Sequence, residues 1–159
     1  MSNEGSRILS VAISTSLIIG IAYITSGLIS LYNWSVMILA PEGMVRGILR
    51  KYIPGDLGMA LILLSIGLTL LTAVYYKLRQ SITKSFSCLT VGSTLAIITM
   101  SMQLLTVLAS TIDSLIIGDT ITVESVQLGV LRIDSLLGYV AILLFIMSLR
   151  FYDKRFRAK

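Results

Sequence analysis

Four stretches of this chain are apolar for about twenty residues each, and no Asp, Glu, Lys or Arg lies in their interiors. They cover about residues 8–32, 57–76, 86–110 and 135–151. A helix needs about 20 such residues to cross the hydrocarbon core of a bilayer. Lipid offers no hydrogen-bond partners, so a crossing segment must satisfy its own backbone, as a helix does. The pattern predicts an all-α membrane protein with four transmembrane helices in a left-handed bundle, and one integral membrane domain over residues 1–159.

The charge supply agrees. Only 13% of the residues are charged, against roughly 25% in a soluble domain. The first stretch is too long for a secretion signal, whose apolar region runs to roughly 7–15 residues. It reads as a retained helix.

Composition removes several chemistries. The chain has no histidine and a single cysteine, Cys88. Histidine haem or zinc ligation, a Ser-His-Asp triad and a histidine proton relay are excluded. So are an internal disulfide and a CxxC redox pair. Cys88 reads as a small packing residue. No cofactor, no metal and no catalytic residue is assigned. The net charge of +5 sits beside the apolar stretches, which points to the bilayer as partner and not to nucleic acid.

Those charges also orient the chain. The link between the second and third stretches holds Lys77, Arg79 and Lys84 and no acid, and the tail holds Arg150, Lys154, Arg155, Arg157 and Lys159 against Asp153. The link between the third and fourth holds Asp113, Asp119, Glu124 and Asp134 against Arg132. Basic loops stay on the cytoplasmic side. Both termini are therefore expected in the cytoplasm, in a multi-pass protein of the plasma membrane. The basic tail, with Lys154, Arg155 and Arg157, suits anionic lipid headgroups.

The two outer connections carry structure signals of their own. In the first, Pro41 suits the opening turn of a helix. Glu42, Arg46 and Arg50 follow at intervals of four, with Met44, Val45, Ile48 and Leu49 mostly opposite. That predicts a short amphipathic helix on the outer surface, where Arg46, Arg50 and Lys51 could meet a headgroup or serve only as a strut. Pro54-Gly55 ends it, and Asp56 is placed to cap the second span. In the second connection, Gly118-Asp119 reads as a turn between Leu115–Ile117 and Thr120–Val123, which predicts a small β-like cap.

Small residues mark packed faces in lipid. On the first span they are Ala12, Ser16, Gly20, Tyr23, Gly27 and Ser30. The second gives Gly58, Ser65, Thr69, Thr72 and Tyr76, and the third Gly92, Ala96, Thr99, Gln103, Thr106 and Ser110. Asp134, Gly138, Ala141, Phe145, Ser148 and Tyr152 form the line on the fourth. Steps that alternate between three and four residues match left-handed packing.

Within that interior Gln103 is the one strongly polar side chain deep in a span, and Tyr23 the one mid-span tyrosine. With Thr99 and Thr106 they form a candidate ligand site in the outer half of the bundle. A structural alternative is an interhelical hydrogen bond from Gln103. Asp56 and Asp134 suit helix capping. The absence of charge within the spans argues against an ion path.

Three functional readings follow. The first is a non-catalytic membrane subunit that scaffolds or stabilises a larger membrane complex, with other subunits or copies of itself as partners. The second is a small-ligand membrane protein, either a quinone-associated oxidoreductase subunit or a lipid or solute carrier. The third is a self-assembling envelope or virion membrane protein.

Overall fold

The computed structural model describes residues 3–39, 49, 52–117, 130 and 132–156. Four helices account for most of them: α1 (Asn3–Leu39), α2 (Leu57–Leu78), α3 (Ile82–Ile117) and α4 (Ile133–Phe156). No strand occurs among the described residues.

Three helices, α1 over Ser10–Leu39, α2 and α3, are long and apolar enough to cross a membrane. The apolar part of α4, Ser135–Arg150, is about 24 Å long at 1.5 Å per residue. A typical hydrocarbon core is about 30 Å thick. Among the described residues three helices are membrane-capable by length and composition, and α4 contributes a shorter apolar stretch.

Two helices overrun the stretches that hydropathy marks. The 37 residues of α1 and the 36 of α3 are each about 54 Å long, against about 33 Å for α2. Asn33–Leu39 are thus helix and not loop. Leu115–Ile117, expected as part of a β-like cap, form the last turn of α3. Nothing in their backbone environment favours a strand: no second strand stands beside them among the described residues, and helical bonds satisfy the chain locally. The amphipathic helix expected around Glu42, Arg46, Arg50 and Lys51 lies outside the described residues, as do Thr120–Val123 and Arg157. Lys154 and Arg155 fall in the final turns of α4.

The helices pack as a ring. α1 lies on α2, α2 on α3, α3 on α4, and α4 closes on α1. Glycine contacts fix the direction of the first pair: Gly20 faces Leu71 and Gly67, and Gly27 faces Leu64 and Ala60. Rising numbers on α1 meet falling numbers on α2, so the two are antiparallel. Gly92 of α3 takes Leu70 of α2, and Gly138 of α4 takes Met100 of α3. Tyr23, Leu63, Ile66, Leu70, Leu89, Ala96, Ala141 and Leu144 fill the shared core.

The small-residue line of α1 lies wholly on a packed face, with all six residues buried, and Gly138, Ala141 and Ser148 are buried on α4. On α3 only the first part of the line is packed: Gly92 and Ala96 are buried, Thr99 and Gln103 partly so, and Thr106 and Ser110 are exposed, their hydroxyls bonded to their own helix. On α2 the expected line is displaced. Ser65 is exposed and Thr69 only partly buried, while Met59, Ala60, Leu63, Ile66, Gly67, Leu70 and Ala73 form the packed face. The reason is local. The Ser65 hydroxyl donates to Leu61 O at 2.8 Å and that of Thr69 to Ser65 O at 2.7 Å. A hydroxyl satisfied by its own helix needs no neighbour and can face lipid.

The turn between α2 and α3 is tight. Gln80 sits in the left-handed region at φ 56°. Gln80 N donates to Lys77 O and Ser81 N to Tyr76 O, each at 2.9 Å. This is the paired-bond helix stop that glycine usually occupies. Just beyond it, the buried Ser85 hydroxyl donates to Ala73 O across the hairpin at 2.7 Å.

Candidate functional site

The chain enters α2 through Pro54-Gly55-Asp56. Asp56 takes an extended conformation, and its carboxylate accepts from Met59 N at 3.1 Å, capping the helix. The approach is strapped to α1 by two buried side chains. The Ser30 hydroxyl donates to Pro54 O at 2.8 Å, and Asn33 Nδ2 donates to Ile53 O at 2.8 Å. Gly55 allows this closeness, because a Cβ there would stand 2.7 Å from the Asn33 carbonyl carbon.

Beneath the strap lies a small cleft with an enclosed volume of about 10 Å³, room for about one water. Ser26 of α1, Tyr52 and Ile53 of the strap, Met59 and Leu63 of α2, and Arg132 before α4 contribute to its walls. The lining is almost wholly apolar. As it stands the cleft is too small for a ring or an acyl chain.

The four residues proposed from sequence meet this cleft unequally. Gln103 comes nearest: its Nε2 donates to the Met59 sulfur at 3.6 Å, and Met59 is part of the wall. Tyr23 is 1% exposed, inside the core cluster that also contains Met59. Thr99 and Thr106 donate to Leu95 O and Met102 O of their own helix, each at 2.9 Å, and Thr106 is exposed. The structure does not gather the four around one space. The interhelical hydrogen bond expected from Gln103 goes to a methionine sulfur on α2.

Sequence reasoning did not place Ser26, Tyr52, Met59 or Arg132 at a site. Arg132 offered one signal, as the lone cation in an otherwise acidic connection. The others lie on a wall only because the strap folds back over α1.

A second group of side chains stands at the opposite end of α2. The Tyr75 and Tyr76 rings meet edge to face, 5.6 Å between centroids and 63° between planes. The Arg79 guanidinium lies 5.2 Å from the Tyr75 ring centre, and the Lys84 ammonium 5.6 Å from that of Tyr76. Both cations are exposed. Among the described residues no group of three or more His, Cys, Asp or Glu could hold a metal. Cys88 is partly buried against the core.

In comparisons with known proteins, no family model, curated protein or solved structure matches the chain.

Proposed function

We propose that this protein is a non-catalytic integral membrane subunit that scaffolds or stabilises a larger membrane assembly. In this reading it spans the plasma membrane four times in a left-handed bundle, with both termini in the cytoplasm. The amphipathic segment around Arg46 and Arg50 lies on the outer surface. The short apolar part of α4 is accommodated by local bilayer thinning and by Arg150 reaching toward the headgroups.

The observation that carries the reading is the far half of α3. The helix is longer than a hydrocarbon core by about 24 Å, so its last turns stand beyond the lipid tails. Those turns remain apolar. Ile112 is 48% exposed, Leu115 63% and Ile116 78%. Ile112 lies three and four residues from the other two, which puts all three on one face. Beyond the reach of lipid, a strip of this kind is covered by protein, and a neighbouring membrane subunit or a second copy of the chain supplies it.

Solubilisation of native membranes in mild detergent, followed by affinity capture of the chain, tests this. The expected product is a complex above monomer mass that the triple variant Ile112→Ser, Leu115→Ser, Ile116→Ser loses while its own bundle stays folded. A chain that always runs alone at its monomer mass would overturn the reading. A regular ladder of identical copies would favour the self-assembling envelope or virion alternative.

The cleft gives the small-ligand reading one specific support: an apolar wall with Arg132 beside it and Gln103 behind Met59. Its size decides the ranking: about 10 Å³ is far below the about 300–1,000 Å³ of pockets for drug-sized ligands. A quinone or lipid that co-purifies one-to-one and is displaced by Leu63→Trp would reverse that ranking.

A further inference from the structure

We propose that the α2–α3 hairpin carries a binding site for the phosphodiester of an anionic membrane lipid, built from Arg79 and Lys84 on the paired rings of Tyr75 and Tyr76. The four side chains form a continuous row: guanidinium, ring, ring, ammonium, at successive separations of 5.2, 5.6 and 5.6 Å. The row bridges the turn, with one cation following α2 and the other in the first turn of α3. Residues 74–88 contain no Asp or Glu. Among the described residues Lys77, Arg79 and Lys84 form no ion pair. The positive charge is therefore uncompensated within the hairpin.

Two features separate this site from a loose basic loop. The rings hold both cations in place, so less side-chain freedom is lost when an anion arrives. The tight stop at Gln80 and the Ser85 hydroxyl bond to Ala73 O fix the two helices that carry them. The position is also specific. Leu78, 78% exposed, and the two tyrosines stand at the end of the apolar run of α2, where amphipathic rings sit at headgroup level. Antiparallel packing brings Arg150 of α4 to the same end. A lipid phosphate is the anion held at that depth, with its acyl chains beside the exposed apolar flank of α2.

Native mass spectrometry of the detergent-solubilised full chain, titrated with phosphatidylglycerol or phosphatidylcholine, tests the site. The wild type is expected to retain phosphatidylglycerol at least tenfold better than phosphatidylcholine. Arg79→Gln with Lys84→Gln should remove that preference, and Tyr75→Leu with Tyr76→Leu, which keeps both charges, should weaken it several-fold. The tail variant Lys154→Gln, Arg155→Gln, Arg157→Gln should keep it. Equal retention of the two lipids by the wild type would overturn the proposal. So would full retention by the Arg79/Lys84 variant, loss of the preference in the tail variant alone, or displacement of the lipid by an equal concentration of inorganic phosphate. Thermal unfolding of each variant separates a lost site from a lost fold.

Discussion

Gly20 of α1 and Gly67 of α2 stand back to back, so close that a Cβ on Gly67 would lie 2.8 Å from the Gly20 carbonyl oxygen. Such a Cβ would also meet Ile24 Cγ1 at 2.7 Å and Ile24 N at 3.0 Å. Two of these three atoms are backbone, and they can move only if the helices part. Gly67→Ala is therefore expected to destabilise the bundle by about 1–3 kcal/mol, the range for overpacking, less up to about 1 kcal/mol that alanine gains in helix propensity. Gly20→Ala should cost less, because its nearest neighbour is a movable Leu71 methyl at 3.1 Å. Unfolding of the purified protein in mixed detergent ranks the two. A Gly67→Ala protein as stable as wild type would contradict the close approach.

Hydroxyls should divide into two kinds. Ser85 is fully buried and bonds across the hairpin to Ala73 O. Ser85→Ala is expected to cost about 0.6 kcal/mol, the average for such bonds in a membrane protein. Thr72 donates to Leu68 O of its own helix at 2.7 Å, so Thr72→Val should move stability by less than about 0.5 kcal/mol, as for substitutions away from packed features. The same unfolding assay compares them, and equal losses would count against the distinction.

At the hairpin, Gln80→Gly should stabilise the protein. A left-handed conformation costs a residue with a Cβ roughly 1–2 kcal/mol relative to glycine, and glycine's greater freedom in the unfolded chain offsets about half of that. The expected gain is about 0.5–1 kcal/mol, read as a higher unfolding temperature. Gln80→Val, β-branched at the same backbone position, should lower it.

The strap over the cleft depends on Ser30 and Asn33. Asn33→Leu removes the donor that Ile53 O accepts, and a buried carbonyl left without its bond costs about 1–3 kcal/mol. The loss should be local. Hydrogen exchange over residues 52–56 is expected to quicken, with little change around Leu89 and Ala96 on α3. Uniform acceleration across the bundle would show that the strap is not a separable part.

Much of the bundle was legible because glycine has one use inside an apolar helix in lipid. Gly20, Gly27, Gly92 and Gly138 each mark a place where a neighbour comes close, and they lie on the packed faces of α1, of α4 and of the first half of α3. The hydroxyl residues misled on α2, because Ser65 and Thr69 are content with their own helix. Gly67, off the chosen line, was the informative residue there. The lengths of α1 and α3 were hidden for another reason. Hydropathy marks a run of apolar residues, and the backbone bonds that carry a helix beyond that run leave no mark in it. The cleft was not legible at all, since its walls come from four separate segments that meet only when the strap closes.

The short turn at Arg79–Ser81 has a consequence for how the bundle is held together. The entropy lost in closing a loop grows with its length. Among the four described helices α2 and α3 meet across the shortest link, whereas residues 40–132 separate α1 from α4. The loop-closure entropy lost is therefore smallest for the α2–α3 hairpin and largest for the seam between α1 and α4, so that seam must be held by side-chain packing with the least help from the chain's own connectivity.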